Sequence, residues 1–427
     1  MKHSKNYALL ILLLFSLFGQ LNGQDFQYLT TVNSCFIDDI KTVELYLDNY
    51  PYSQPIIKLN SDEKLLLSFD DLSNESRYLK YTFIHCSYDW KIDNLSQMEY
   101  IDGFLEDEIS DYSYSFNTIT SYTHYELSFP SDLMKITKSG NYLLFVYDTS
   151  PDDPILVRRF MVIENKPVII SGRVNRSSDV STMHTMQEVD FTAYTGNYDV
   201  KNPSRYLHAN IVQNGRWDNA IIGLPYRSGK PGEYNFDYDN NANAFNGGND
   251  FRFFDIKSLR YNGNRIVSIG YRNDENIAFV LEDVAKPYTP YTNDPTLNGF
   301  YYIKNEDFNG KNSEDYVKTI FSLKADFELT EGNLYVFGAL TDWKIVDEAR
   351  LKLNPKTNYW ETALLLKQGF YNYQYVLVKK KKNLIIDETF IEGNHWETQN
   401  KYTIFLYLQE EGTVYDKLIG SLKLFFK

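Results

Sequence analysis

Two neighbouring apolar runs indicate the fold class: residues 141–164 read NYLLFVYDTSPDDPILVRRFMVIE. Both runs are rich in aromatic and β-branched residues, which fit a pleated, half-buried surface. The Thr/Ser/Pro/Asp cluster between them has the composition of a turn. Similar runs precede them, namely TVELYLDN (42–49), EKLLLSFDDL (63–72) and RYLKYTFIHC (77–86). Because alternation is the dominant local signal and a helical period is missing, these segments predict the strands of one unit.

The overall composition also favours sheet. The chain has 427 residues, which at about 150 residues per domain suggests roughly three domains. Hydrophobic residues make up 43% and charged residues 23%, so the chain can bury real cores. The aromatic fraction of 16%, with 36 Tyr and 28 Phe, leans towards strands. We therefore predict an all-β protein.

Turn signals divide the chain into three units. In LHANIVQNGRWDNAII, Asn214-Gly215 supplies two residues that tolerate positive φ, as a type I′ hairpin requires. The proline-rich stretch KPYTPYTNDP (286–295) marks a long connection before further strand-like runs. Regular strands separated by turns are typical of sandwiches. We predict three tandem β-sandwich domains, at 24–165, 166–309 and 310–427.

The first residues have the order of a secretory signal peptide. They read MKHSKNYALLILLLFSLFGQLNGQ, with two lysines, an apolar run over 8–18 and a small or polar stretch. The run is short for a membrane span, which needs about 20 apolar residues. We expect a signal peptide at 1–23, cleaved to expose Gln24. A lipid anchor would need cysteine at that point, so we expect a soluble, exported protein without direct membrane insertion.

The chain has only two cysteines, Cys35 and Cys86, which excludes a disulfide scaffold or a Cys-rich metal site. An exported protein can keep a disulfide, so the two could pair. Both lie in strand-like runs, and free cysteine is often fully buried. The sequence leaves open a Cys35–Cys86 disulfide and two buried thiols.

Neither the charge nor the motifs point to nucleic acid or to an enzyme. The formal net charge is −14, which repels phosphate backbones. Nucleophile-elbow, Walker and H-E-x-x-H motifs are missing from the sequence. The loop DYDNNANAFNGG (237–248) alternates acidic and amide residues, as a calcium loop does. It has Ala242 where such a loop turns on Gly, and Gly248 where it needs Glu. We expect no catalytic, cofactor or metal site.

The last unit carries LYVFGALTDW followed by YWETALLLKQGFYNYQYVLV. These segments resemble the glycogen-binding type of carbohydrate module. The matching positions are Gly338, Asp342, Trp343, Trp360, Gly369, Tyr371 and Tyr373. The resemblance implies an immunoglobulin-like sandwich, so we predict tandem immunoglobulin-like β-sandwich domains. Trp343 and Trp360 are the candidate sugar-stacking residues, with core packing as the alternative.

A second resemblance covers nearly all of the chain after the signal peptide. Six segments carry it in order: HCSYDWK (85–91), EYIDGFLEDEISDYSYSFNTITSYTHYELSFP (99–130), RRFMV (158–162), QNGRWDNAI (213–221), GGNDFRFFDIKSLR (247–260) and LKQGFYNYQYV (366–376). Together they are similar to the type IX secretion system plug protein family of Bacteroidota. The resemblance implies a periplasmic protein at the inner face of the outer membrane. It would close the periplasmic opening of the outer-membrane translocon barrel when no cargo is bound.

The leading hypothesis is thus a non-enzymatic binding protein whose partner is the translocon barrel. The alternative is a periplasmic or cell-surface carbohydrate-binding protein, and an enzyme is a third class. A sugar binder should present Trp343 or Trp360 as an exposed platform. An enzyme should show a pocket with convergent titratable groups. A plug should instead offer a broad surface for a large partner.

Overall fold

The computed structural model describes residues 26–426 except 74, 76, 197, 295 and 381–383. The predicted signal peptide at 1–23 lies outside this range. Strands make up 47% of the chain and helices 5%, arranged in several sheets. The all-β prediction is confirmed, and a far-UV circular dichroism spectrum should show well under a fifth helix.

The first part of the chain forms twelve strands. They are β1 (Ser34–Cys35), β2 (Ile40–Leu47), β3 (Ile56–Lys58), β4 (Leu65–Asp71), β5 (Leu79–Cys86), β6 (Ile101–Gly103), β7 (Asp107–Glu108), β8 (Asp111–Tyr114), β9 (Thr123–Phe129), β10 (Met134–Ile136), β11 (Gly140–Asp148) and β12 (Pro154–Ile163). One short helix, α1 (Gln97–Tyr100), precedes β6.

The remaining described residues add nineteen strands. They are β13 (Ile169–Arg176), β14 (Met186–Tyr194), β15 (Leu207–Gln213), β16 (Ile221–Leu224), β17 (Ser228–Lys230), β18 (Glu233–Asn235), β19 (Ala244–Asn246), β20 (Arg252–Asp255), β21 (Ile266–Arg272), β22 (Glu275–Val280), β23 (Tyr301–Ile303), β24 (Tyr316–Lys324), β25 (Asn333–Phe337), β26 (Lys352–Asn354), β27 (Tyr359–Lys367), β28 (Gly369–Lys380), β29 (Leu384–Asp387), β30 (Lys401–Leu408) and β31 (Lys417–Phe425). The helices among them are α2 (Pro203–Tyr206), α3 (Thr389–Glu392) and two 3-10 turns, Ala339–Thr341 and Asp347–Ala349.

A ten-stranded sheet forms the spine of the molecule. Its strands run in the order β16-β15-β30-β31-β12-β11-β5-β7, with β1 and β3 also paired to β12. In the first sandwich, the four-stranded sheet β2-β4-β9-β8 packs on one half of this spine. The core between them is made largely of aromatic side chains, among them Phe69, Phe83, Tyr125 and Phe160. The quoted segment 141–164 supplies two central strands, β11 and β12, and both are almost wholly buried.

The other half of the spine belongs to the middle sandwich. The five-stranded sheet built on β13, β14 and β17 to β19 packs against β15 and β30. Val189 and Phe191 of β14 meet Ile211 of β15 and Ile404 of β30 in this core. The middle sandwich is therefore completed by strands from the end of the chain.

This arrangement differs from the predicted boundary at 309/310. β30 and β31 were expected in the unit 310–427, yet β30 pairs with β15 from Leu207↔Leu408 to Gln213↔Tyr402. Conversely, β20, expected in the unit 166–309, pairs with β28. The third sandwich, with sheets built on β28 and on β24 and β27, is inserted between the two parts of the middle one.

Candidate functional site

The first and third sandwiches meet around a buried carboxylate, Asp70 of β4. Its Oδ1 accepts a hydrogen bond from His124 Nδ1 at 2.6 Å. Its Oδ2 accepts from the Tyr316 hydroxyl at 2.6 Å and from Lys367 Nζ at 2.7 Å. The ammonium of Lys367 also lies 4.2 Å from the ring centroid of Tyr122. We call these five residues the first joint, since they connect the two sandwiches through charge-assisted hydrogen bonds.

The charges of the first joint are strongly coupled. Burial would raise the pKa of Asp70, but the Lys367 ammonium and hydrogen bonds from His124 and Lys367 outweigh it and hold the pKa below its usual value. Glu44 of β2 lies near the same charges. Burial raises the pKa of Glu44 to about 7, although Lys367 opposes the change. The joint thus favours an ionised Asp70 and a protonated Glu44.

This difference predicts a pH-dependent effect of Glu44→Gln. A pKa raised in the folded state gives stability that is complete below the unfolded value of 4.5 and is lost as pH rises through about 7. Glutamine mimics the protonated form, so the variant should gain about 1–2 kcal/mol at pH 8 and almost nothing at pH 4.5. Urea unfolding at both pH values measures this. Glu331→Gln, at an exposed site, is the control, and an equal gain at both pH values would contradict the interpretation.

Beside the first joint lies a small cavity of about 140 Å³. Arg158, which is buried, lines it and faces Asp342 with Nη1 to Oδ2 at 3.3 Å. Its Nη2 also lies 3.4 Å from the Cys35 sulfur. Small-molecule sites usually measure about 300–1,000 Å³. The cavity is smaller than that, and Arg158 and Asp342 in its lining are paired with each other, so it fits a structural role between sandwiches.

A second joint connects the middle and third sandwiches. Arg216, in the turn after β15, is 3% exposed and donates to both carboxylate oxygens of Glu388, at 2.7 and 2.8 Å. It also pairs with Asp218. Burial would lower the pKa of Arg216, but the two carboxylates outweigh it and raise the pKa. The paired guanidinium fixes the two sandwiches to each other.

The predicted sugar-stacking residue Trp343 takes part in this second joint. The Arg216 guanidinium lies 4.5 Å from the indole centroid, and the rings of Phe251, Phe300 and Phe337 contact Trp343 edge-on. A sugar ring needs a free aromatic face, which these contacts cover. Trp343 is half-buried and offers no open platform.

Trp360, the other candidate, lies in β27 away from that joint. It is half-buried and packs against the third core. It pairs across strands with Leu323 and Leu353, and its buried Nε1 has no hydrogen-bond partner among the described residues. The structure does not bring Trp343 and Trp360 into one platform, and the resemblance to a carbohydrate module is not confirmed.

The two cysteines are free thiols. Cys35 of β1 pairs with β12, whereas Cys86 ends β5, so β11 and β12 lie between them in the sheet. At about 4.8 Å per strand the separation is roughly 14 Å, beyond the ~7 Å that a disulfide can span. Burial raises the pKa of Cys86 well above its usual value. Of the two sequence alternatives, the structure has the free thiols.

The Asp/Asn-rich loop at 237–248 does not fold around one centre in the manner of a single calcium loop. Asp239 pairs with Arg227, and Asn241 accepts from Ser177. Asn243 is fully buried against β14. These side chains contact different neighbours, so the loop does not have the geometry of a single calcium loop.

A strip of exposed aromatic side chains follows the outermost strand of the four-stranded sheet. Tyr112 and Tyr114 of β8 are 47% and 65% exposed, and Phe116 just beyond is 61% exposed. The Phe116 ring lies 6.0 Å from that of Phe308, which is 40% exposed. We call these four residues the aromatic edge. Clusters of exposed aromatic groups are typical of protein-binding surfaces.

Sequence reasoning did not single out the joints or the aromatic edge.

Within the described part of the chain, no helix is both long and apolar enough to cross a bilayer.

Residues 40–164 match the family model described as type 9 secretion system plug protein 1st domain. No curated protein matches the chain. A crystal structure of a hypothetical protein from Parabacteroides merdae is 30% identical, covering 93% of this chain and 100% of that chain with a TM-score of 0.87. The C-terminal domain of AspA, an antigen I/II-family protein of Streptococcus pyogenes, is 7% identical over 90% of this chain and 98% of that chain. At a TM-score of 0.15 the two structures do not share a fold.

Proposed function

Because the chain belongs to one family with the Parabacteroides merdae protein and carries a type 9 secretion system plug domain, we propose that it is a periplasmic plug of this system. In this role it binds the outer-membrane translocon barrel and closes the periplasmic opening while no cargo is bound. The proposed location is the periplasm, at the inner face of the outer membrane. The match at residues 40–164 is the observation that carries the proposal.

The build of the molecule supports this role. A plug for a wide pore needs a broad and stiff body, with a contact larger than the ~1,600 Å² of a standard interface. The ten-stranded sheet runs through two sandwiches, and the buried ion pairs of the two joints fix the third sandwich to both. Such a body can cover an opening without collapsing into it.

The aromatic edge is our candidate for part of the contact surface. Tyrosine offers apolar area and a hydrogen-bonding tip on one ring, and this combination is enriched at interfaces. A plug must also leave when cargo arrives, so its contact should be smaller and more polar than an obligate core. An exposed strip of four rings, two of them tyrosines, on a chain of net charge −14 is consistent with that requirement.

A pull-down from solubilised outer membrane tests the proposed function. The tagged native protein should recover the translocon barrel, and a strain without the gene should become permeable to large hydrophilic antibiotics while secretion largely continues. If the barrel is absent from the pull-down and the deletion strain is no leakier than its parent, the proposed function is wrong.

A double variant, Tyr114→Ser with Phe116→Ser, tests the surface separately. Both side chains are exposed, so the melting temperature should stay near that of the wild type while translocon recovery falls at least about tenfold. Tyr50→Ser is a matched control, because Tyr50 is also 65% exposed but lies in the turn after β2. Undiminished recovery with the double variant would move the contact elsewhere and leave the plug function standing.

A further inference from the structure

Three carboxylates, from two segments of the middle sandwich, converge on its outer face. Glu188 and Asp190 lie two positions apart on β14, so their side chains point to the same side of the sheet. Asp237 reaches them from the loop after β18. One carboxylate oxygen from each residue lies within 4.8 Å of the others.

The two strand carboxylates are poorly neutralised by the protein. Glu188 is 4% and Asp190 7% exposed. Glu188 Oε2 accepts from the backbone and side chain of Ser178, both at 2.9 Å. The nearest cation is Arg173, whose Nε lies 3.4 Å from Asp190 Oδ2 but whose side chain is 69% exposed.

An independent observation points to a bound ligand at this cluster. Asn243 is fully buried, and its carboxamide reaches into the cluster, with Nδ2 donating to Asp190 Oδ1 at 3.2 Å and to the Val189 carbonyl at 2.8 Å. The Oδ1 of the same carboxamide is buried and has no hydrogen-bond partner among the described residues. A buried amide oxygen without a partner is costly, and a cation would satisfy it.

We propose that Glu188, Asp190, Asp237 and the Asn243 carbonyl form a binding site for a divalent cation, with Ca²⁺ as the preferred ion. Ca²⁺ takes six to eight oxygen ligands and accepts carboxylates and amide carbonyls in flexible geometry, with water completing the shell. Mg²⁺ demands stricter octahedral geometry and sheds water reluctantly, so it should bind more weakly. The cation would balance the buried like charges of β14.

The site does not match the single-loop calcium motif, because its ligands come from two segments of the chain. The loop at 237–248 contributes only Asp237 and Asn243, and the strand β14 supplies the two buried carboxylates. A bound cation would therefore fix this loop onto the sheet. The proposal is independent of the plug function, and neither would fail with the other.

Calorimetric titration of the purified mature chain, freed of metal with EDTA, tests the site with Ca²⁺ and Mg²⁺ at pH 7.5. We expect one Ca²⁺ per chain, with an affinity at least about tenfold above that for Mg²⁺. The melting temperature should rise on adding Ca²⁺ and return on adding EDTA. Absence of a Ca²⁺ heat together with an unchanged melting temperature would overturn the proposal.

Two variants assign the ligands. Asp190→Asn should abolish binding, and Asp237→Asn, at an exposed position that should not affect folding, should weaken it at least about tenfold. Asp239→Asn is the matched control in the same loop and should bind like the wild type, because Asp239 pairs with Arg227 instead. Ca²⁺ binding that both Asp190→Asn and Asp237→Asn leave unchanged would place the ion elsewhere and refute this assignment.

Discussion

Replacing Lys367 with methionine is expected to lower the free energy of unfolding by about 3–5 kcal/mol, because it removes the ammonium that pairs with the buried Asp70 carboxylate and leaves that charge only the hydrogen bonds from His124 and Tyr316. Lys367 is 4% exposed, and its ammonium lies 2.7 Å from Asp70 Oδ2. Methionine keeps most of the side-chain volume, so the loss reports on charge rather than on packing. Guanidinium unfolding at pH 7.5 measures it.

The double variant Lys367→Met with Asp70→Asn is the critical comparison. Removing both charges avoids the unpaired carboxylate, so at least about half of the lost stability should return. Lys318→Met is the control, since Lys318 pairs with Glu275 on the exposed surface, where an ion pair contributes about 0–1 kcal/mol. If the single and double variants lose the same stability, the contribution of the first joint to stability comes from packing and not from the ion pair.

The strands themselves could be predicted from the sequence, because burial against a sheet is a local property of each segment. The runs at 42–49, 63–72 and 77–86 all contain strands in the structure, as β2, β4 and β5. Asn214 and Gly215 also both have positive φ, although the loop that joins β15 to β16 runs over 214–220 and is longer than the two-residue hairpin that the motif predicts. Side-chain periodicity and turn chemistry carry this much information.

The partners of the strands could not be predicted in the same way. Consecutive strands usually lie side by side, so a linear division into three units is the natural inference. Here β15 pairs with β30, whose residues follow almost two hundred positions later. Both are apolar strands of similar length, and nothing in either segment specifies the other. The insertion of the third sandwich into the middle one therefore appears only in the structure.

The first joint illustrates why the buried charges were also missed. In β4, six of seven residues are buried, because one face meets the first core and the other meets the third sandwich. The alternation of apolar and polar residues that marks a half-buried strand is therefore lost, and in the sequence Asp70 looks like the polar end of a strand. Lys367 directly follows the apolar run LLL (364–366), so in the sequence it looks like the exposed end of a strand. Only the docking of two sandwiches makes them a pair.

The carbohydrate-module resemblance did not predict the surroundings of its tryptophan. Asp342 and Trp343 both have positive φ, so the chain turns tightly at this point. The guanidinium of Arg216, from a different sandwich, then covers the indole. A local motif specifies local backbone, whereas access to a ring depends on which distant segment packs over it.

Replacing Trp217 with alanine is expected to cost about 3 kcal/mol, the lower end of the range for large aromatic deletions because the ring is half-buried. The indole stacks on Phe405 at 5.5 Å and meets Trp90 edge-on at 5.0 Å. Trp217 lies in the turn after β15, Phe405 in β30 and Trp90 beyond β5, so one ring ties three distant segments together.

Thermal and urea unfolding should therefore show a clear loss for Trp217→Ala, whereas the control Trp396→Ala should lose less than about half as much. Trp396 is also half-buried, but its ring contacts are an edge-on approach to Phe426 near the end of the chain and the guanidinium of the exposed Arg176, 5.7 Å from the ring centroid. Because Trp217 bridges segments that meet only in the folded state, its removal should speed unfolding more than it slows folding. A Trp217→Ala protein that melts like the wild type but no longer recovers the translocon would instead make this indole part of the contact surface.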